Sequence, residues 1–283
     1  MAKLLKGAEV TAALNDRVAA EVRALAERGI TPTLAIVRMG ERPDDLSYER
    51  GAMKRCEKLG VAVRRFLLPA DAGQRELLDV IAQVNGDAGI HGCLLLRPLP
   101  AQIDDEAVRA ALDPEKDVDG ITDGSLAGVF TGTGRGFPPC TAQACMEILD
   151  HYGYALKGKR AVVIGRSLVV GKPVAMLLLG RHATVIVCHT RTEDMPAVCR
   201  GAEVLIVAAG RPGVVTGDYF SPGQVVIDVG INVDAEGKLC GDVKFEDAER
   251  TVEAVTPVPG GVGTVTTSVL VEHVVEAARR AVN

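Results

Sequence analysis

Ala161-Val-Val-Ile-Gly165-Arg166-Ser167-Leu-Val-Val-Gly171-Lys-Pro173 sets two glycines between a short apolar run and a proline. The apolar run reads as a buried strand and Pro173 falls in the first turn of a helix, so the glycines occupy the turn that joins them. A Rossmann unit uses this order to aim backbone N–H groups at a pyrophosphate. The spacing departs from G-x-G-x-x-G. A tight turn needing positive φ is the plainer alternative, and three further apolar strands in order favour the nucleotide. An acidic residue about 20 positions on would bind a free ribose 2′-hydroxyl. Here the second strand, Thr184 to Cys188, runs instead into His189-Thr190-Arg191-Thr192. Arg191, with Arg166 and Ser167 in the first turn, supplies cations and a hydroxyl suited to a 2′-phosphate, so the pattern predicts NADP in preference to NAD.

The elements that must hold this turn repeat along the chain. Short β-branched runs bounded by Gly or Pro alternate with amphipathic stretches, the pattern of parallel strands joined by crossover helices, and the expected class is α/β. Strands are expected at Thr33 to Met39, Val61 to Leu67, Gly92 to Leu96, Arg160 to Ile164, Thr184 to Cys188, Val204 to Ala208 and Val225 to Val229. Helices are expected at Val10 to Arg28, Tyr48 to Leu59, Gln74 to Asn85, Asp104 to Leu112, Thr141 to Tyr152 and Pro173 to Arg181. Thr122 to Pro139, with Gly at 124, 128, 132, 134 and 136, has no period and reads as a loop crossing between two domains. Thr266 to Val282 has near-helical apolar spacing and needs a surface to cover it.

Composition narrows the classes. The chain has 283 residues, 47% apolar and 24% charged, enough for one large domain or two medium ones. A net charge of −5 gives no basic field to hold a polyanion, so nucleic acid is not expected as a partner. Apolar runs such as Ala202 to Gly210 fall short of the roughly 20 residues of a membrane span, and the N-terminus has no signal-peptide pattern, so a cytoplasmic location is expected. Seven cysteines form no Cys-x-x-Cys pair, which favours reduced packed thiols and no bound metal.

Several stretches together resemble the methylenetetrahydrofolate dehydrogenase/cyclohydrolase (FolD) family. They are Asp113-Pro-Glu-Lys-Asp117-Val-Asp119-Gly120, Pro139-Cys140-Thr141, Val163 through Pro173, Val226-Ile-Asp228-Val-Gly230-Ile231-Asn232, Gly241-Asp242-Val243 and Thr256 through Gly263. The resemblance implies an N-terminal folate-binding domain (1–137, with a last helix, 265–283, returning to it) and a Rossmann domain (138–264). It further implies a cleft between the two and a homodimer formed through the Rossmann domains. The implied activity is that of an oxidoreductase of one-carbon metabolism, upstream of purine biosynthesis, acting on tetrahydrofolate derivatives with NADP, or with NAD as in a few members with the same turn. Tyr48 matches the tyrosine that stacks on the pterin and Asp119 the carboxylate that binds its amino group and ring nitrogen. Pro259, Gly260 and Gly261 match the loop beside the folate; Thr141, Thr190, Ile231 and Gly263 match positions lining the nicotinamide cofactor, to which Gly165, Arg166, Ser167, Gly171 and Arg191 add the turn.

Two departures fall on one pair. Bifunctional members carry a lysine four residues after the tyrosine to assist water attack, and this chain has Ala52. Lys54 lies about 240° around the helix from Tyr48, against about 40° for position 52, so it is no substitute. The family's Val-Gln-Leu-Pro-Leu-Pro reads Leu95-Leu96-Arg97-Pro98-Leu99-Pro100, replacing the glutamine that contacts the lysine by Leu96. Arg97 either reaches solvent or supplies a cation to the substrate. The expectation is a dehydrogenase whose cyclohydrolase is lost or weak. The alternatives are a bifunctional enzyme, a non-catalytic folate-binding protein, or a shikimate-type dehydrogenase, whose Lys-Asp pair has no counterpart here.

Overall fold

The computed structural model describes residues 1–282. It divides by internal contacts into two compact units: Ala13–Cys140 with Thr267–Asn283, and Met1–Ala12 with Thr141–Thr266. The first twelve residues were expected in the N-terminal domain. They pack with the second unit because strand β1 (Lys3–Leu4) pairs in parallel there.

In the first unit, after helix α1 (Gly7–Glu27), β2 (Thr33–Met39) is the centre of a three-stranded parallel sheet. All seven of its residues are buried, which explains the apolar run Leu34 to Val37 in place of alternation; the buried Arg38 that follows is ion-paired to Glu49. Helix α2 (Pro43–Leu59) follows. It opens on proline with Asp44 and Asp45 in its first turn, and stops at Gly60, whose φ of 75° closes the C-terminus. Then come β3 (Ala62–Leu68), α3 (Gln74–Gly86), β4 (Gly92–Leu95) and α4 (Asp105–Ala111). Leu77, Ile81 and Val84 of α3 share a core with Ala35, Val37 and Leu95 of the sheet. Within β4 the backbone at Cys93 also bridges in parallel to Asp117, two residues ahead of Asp119.

The glycine-rich stretch expected as a loop contains helix α5 (Asp123–Thr131), capped by the Thr122 hydroxyl and ended by Gly132 at φ 68°. Gly128 serves proximity, not a turn: a Cβ there would lie 1.9 Å from the Arg135 carbonyl oxygen. Composition hid the helix because its glycines are contact glycines.

The second unit continues with α6 (Cys140–His151), β5 (Arg160–Ile164), α7 (Gly171–Gly180), β6 (Thr184–Cys188), α8 (Met195–Arg200), β7 (Val204–Val207), β8 (Val225–Asp228), the hairpin β9 (Asn232–Val233) and β10 (Leu239–Cys240), α9 (Phe245–Thr251) and β11 (Ala254–Val255). Its six-stranded parallel sheet runs β1-β11-β8-β7-β5-β6. The chain leaves β5 on one side for β6 and crosses to the other for β7, so the sheet's switch point lies at the carboxyl ends of β5 and β7, where open α/β sheets bind ligands. The last helix, α10 (Val262–Arg280), begins in this unit and continues in the first. No helix among the described residues is long and apolar enough to cross a membrane.

Candidate functional site

In the first unit Tyr48 projects from α2 half-buried. Burial pushes its phenol well above the ordinary 10, and the nearby Asp119 and Cys140 push the same way. Asp119 sits on the segment that Asp117 shapes. The fully buried Asp117 carboxylate accepts from the Ile121 and Thr122 amides at 3.0 and 2.7 Å and from the Ser125 hydroxyl at 2.7 Å. Gly120, at φ 70°, lets Pro138 and Pro139 pass within what would be 2.6 Å of a Cβ, and so delivers Cys140 to Asp119. The Asp119 carboxyl is raised from 3.8 to about 7: burial dominates, a Cys140 hydrogen bond and Arg97 oppose it, and Asp117 adds to it.

The remaining positions of this unit divide. Ala52 is fully buried and Leu96 is 7% exposed. Lys54 is exposed. Arg97 is tethered: its Nε and Nη2 donate to Asp105 at 2.6 and 2.5 Å, and Arg109 shares that carboxylate at 3.0 Å. It is thus neither a free solvent arginine nor a lysine-like cation at the end of a mobile chain. Glu49, beside Tyr48, is a buried carboxylate clamped by Arg38 at 2.7 Å and Arg65 at 2.6 Å.

In the second unit Gly165 follows β5 at φ 119°, and a Cβ on it would lie 2.3 Å from the Ala208 carbonyl oxygen. A Cβ on Gly171 would lie 2.2 Å from the Gly165 carbonyl oxygen. The Ser167 hydroxyl accepts from the Val170 amide at 3.1 Å, ordering the turn ahead of α7. Together they form a backbone cradle open to a pyrophosphate at a helix N-terminus. Arg166, Ser167, Thr190 and Arg191 are all exposed around it, with no acidic residue at the end of β6. The donor set fits NADP. His189 is a turn residue whose Nδ1 accepts from the Arg191 amide at 3.1 Å.

A pocket of about 260 Å³ in the same unit gathers Ile231, Pro259, Gly260, Gly261 and Gly263, the loop and cofactor positions expected from sequence. Gly260 takes φ 103°. Thr141 opens α6 and does not line that pocket. Two carboxylates given above only as motif letters organise the backbone around it; Asp228 lines the pocket and Asp242 does not. Asp242 accepts from the amides of Ala209, Gly210 and Arg211 and from Asn232 Nδ2 at 2.6–2.9 Å. Asp228 accepts from the amides of Gly230, Asp242 and Val243 at 2.9–3.1 Å, and burial raises its carboxyl to about 6 against those hydrogen bonds. The signal for both was there: an acidic residue ending an apolar strand, and a second within Gly-Asp-Val.

The profile for the tetrahydrofolate dehydrogenase/cyclohydrolase catalytic domain matches residues 5–119, and that for the NAD(P)-binding domain of the same enzymes matches residues 139–282. This chain belongs to that family. The bifunctional protein FolD of Carboxydothermus hydrogenoformans is 50% identical over 279 residues, covering 98% of this chain and 97% of that protein. The crystal structure of the bifunctional FolD dehydrogenase/cyclohydrolase of Campylobacter jejuni superposes with a TM-score of 0.95 at 36% identity over 99% of each chain. That of Trypanosoma brucei FolD, complexed with NADP and an inhibitor, gives 0.92 at 34% identity over 100% of this chain and 99% of the other. This member of the tetrahydrofolate dehydrogenase/cyclohydrolase family is therefore an oxidoreductase of folate one-carbon chemistry with a two-domain α/β fold and an NAD(P)-binding Rossmann domain.

Proposed function

We propose that this chain oxidises 5,10-methylenetetrahydrofolate to the 5,10-methenyl form with NADP, and that its cyclohydrolase activity is lost or weak. Tyr48 offers an aromatic face to the pterin, and Asp119 accepts from the pterin's amino group and ring N–H in a shielded site. The Gly260–Gly261 backbone allows close approach of the folate. The Gly165–Gly171 turn aims amides at the pyrophosphate, while Arg166 and Arg191 hold the 2′-phosphate. When bound, NADP supplies the nicotinamide C4 that accepts the hydride. The folate's own flanking nitrogens stabilise the cation left behind, so positioning is the protein's main task.

Hydrolysis of the methenyl cation asks for more. A water must lose a proton and a nitrogen must gain one, general acid–base work of about 10²- to 10⁴-fold value. The observation that carries the proposal is Ala52, fully buried on the Tyr48 face of α2 and matched by the apolar Leu96. The relatives cited above are named bifunctional, so the test is a paired assay on one preparation: NADPH formation from methylenetetrahydrofolate, and decay of methenyltetrahydrofolate absorbance above the uncatalysed rate. The expected result is the first without the second, with Ala52→Lys plus Leu96→Gln gaining hydrolysis. Hydrolysis as fast as dehydrogenation in the unaltered chain would refute the loss and favour a second reading in which Arg97, close enough to lower the Asp119 carboxyl, activates the water.

A homodimer through the second unit is part of the same reading. β6 is a sheet edge, and Ile186, Val187 and Leu179 are 44, 38 and 55% exposed, an apolar surface next to unpaired backbone groups. Light scattering should give twice the chain mass, and Val187→Lys the single mass.

A further inference from the structure

The first twelve residues pack with the second unit, and they run onto the loop that lines its pocket. The chain enters beside β11: the Lys3 amide donates to the Glu253 carbonyl at 2.8 Å and the Leu5 amide to the Val255 carbonyl at 2.9 Å. Past the end of β11 the pairing continues on the loop itself, where the amide of Gly7, the first residue of α1, donates to the Gly260 carbonyl at 2.8 Å. One turn further on, the buried Thr11 donates its hydroxyl to the Thr264 carbonyl at 3.1 Å. A Cβ on Gly7 would lie 2.2 Å from the Gly261 carbonyl oxygen, and one on Gly261 would lie 2.5 Å from the Pro257 carbonyl oxygen. The start of α1, Gly261 and Pro257 are thus packed backbone on backbone, with no side chain between them.

We propose that Gly7 is a positioning residue for the folate site: the bare first turn of α1 is the stop against which the Gly260–Gly261 loop is set, and Thr11 ties the start of α10 to the same turn. The inference rests on the folate-facing role proposed above for that loop. Gly7 does not owe its place to its own conformation, since its φ is not positive and alanine is the better residue in a helix. What glycine provides there is proximity. A carbon–oxygen contact needs about 3.3 Å, so a methyl at position 7 would drive the Gly261 carbonyl back by on the order of 1 Å. Gly261 cannot yield alone. Its carbonyl also accepts from the Thr264 amide at 3.1 Å and its Cα lies against the Pro257 carbonyl, so the displacement passes into residues 257–264, the stretch of loop and helix start that lines the pocket. A misplacement of about 1 Å in a surface that holds substrate is worth up to about 10²-fold in rate.

The test compares the unaltered protein with Gly7→Ala, Ala8→Gly, Thr11→Val, Thr11→Ser and Gly261→Ala by calorimetric titration with tetrahydrofolate, by NADPH fluorescence titration, and by KM and kcat for dehydrogenation. Gly7→Ala, which helix propensity alone would favour, should bind tetrahydrofolate about tenfold or more weakly and raise the KM for methylenetetrahydrofolate in step. Its NADPH affinity, held by the Gly165–Gly171 turn, should stay within about threefold of the unaltered value. Ala8 is exposed on the same turn of α1, so Ala8→Gly loosens the helix without touching the loop and should leave tetrahydrofolate binding unchanged. Thr11→Val should weaken tetrahydrofolate by about two- to tenfold and Thr11→Ser, which keeps the hydroxyl, should restore it; this pair reads the same brace even where Gly7→Ala does not fold. Unchanged folate binding in Gly7→Ala and Thr11→Val beside an impaired Gly261→Ala would overturn the proposal and leave the folate-facing loop standing. Impairment of Ala8→Gly equal to that of Gly7→Ala would also overturn it, by reducing α1 to a structural prop. Unchanged folate binding in Gly261→Ala as well would remove the loop from the folate site, and the proposed folate contact would fall together with the inference.

Discussion

Replacing Asp119 by asparagine should make the protein more stable and less able to bind folate, and both effects can be scaled. The Asp119 carboxyl is raised from 3.8 to about 7, with burial the largest cause. A raised carboxyl means that the folded state disfavours the charge. Its contribution to stability is therefore complete at low pH and is lost as pH climbs from about 4 to about 7, with no further change above. At about 1.36 kcal/mol per pH unit, that span amounts to about 4 kcal/mol. The carboxylate is only half-buried, and solvent screening reduces this to about 2 kcal/mol. Asparagine keeps the shape and removes the ionisation, so urea unfolding at about pH 8 should show Asp119→Asn more stable by about 2 kcal/mol, and at about pH 4 by less than half of that. Tetrahydrofolate affinity should fall about 10- to 150-fold, the worth of hydrogen bonds to a charged group. A variant no more stable at about pH 8, or one equally stabilised at both pH values, would show that the pocket does not strain this charge.

Other perturbations separate buried from exposed contributions. Glu49→Ala strands Arg38, whose side chain is 5% exposed, and should cost about 3–5 kcal/mol in urea unfolding; Arg65→Ala, removing the partner that is 42% exposed, should cost about 1 or less. Gly171→Ala puts a methyl 2.2 Å from the Gly165 carbonyl oxygen, so the turn must open; NADPH fluorescence titration should show affinity down on the order of tenfold or more, with tetrahydrofolate binding retained.

Legibility followed locality. β2, β5 and β6 have the bounds expected from their apolar runs; β2 and β5 lie buried between two strands and must be apolar or nearly so, while β6 keeps its apolar run at the sheet edge, partly exposed. α2 starts five residues ahead of its expected beginning at Tyr48, since its first turn, Pro43 with Asp44 and Asp45, carries start signals but no apolar period. α5 was hidden by glycines that accommodate Pro114 and Arg135, neighbours no local pattern reveals. The cofactor turn was legible as a contiguous motif. Tyr48 and Asp119 were legible only through resemblance, because 71 positions separate them and an isolated tyrosine or turn aspartate has no signature. Thr11 with Thr264 is less legible still: 253 positions apart, their meeting is a product of tertiary packing.

The proposed loss of hydrolysis is consistent with how charge is distributed on α2. Glu49 lies one turn ahead of position 52 and is already neutralised by Arg38 and Arg65. An ammonium at position 52 would therefore enter a buried site whose nearest anion on the helix has two cations already, and the buried Leu96 has no polar group to offer it. Lysine at 52 alone should destabilise the fold and draw Tyr48 or Asp119 out of place to satisfy it. Glutamine at 96 would give that ammonium a partner and a direction, so the two substitutions should be strongly non-additive, with the double variant more stable than Ala52→Lys alone and the better hydrolase of the two. Additive effects on stability and rate would mean that positions 52 and 96 do not form a functional pair, and the physical basis for assigning hydrolysis to them would fail.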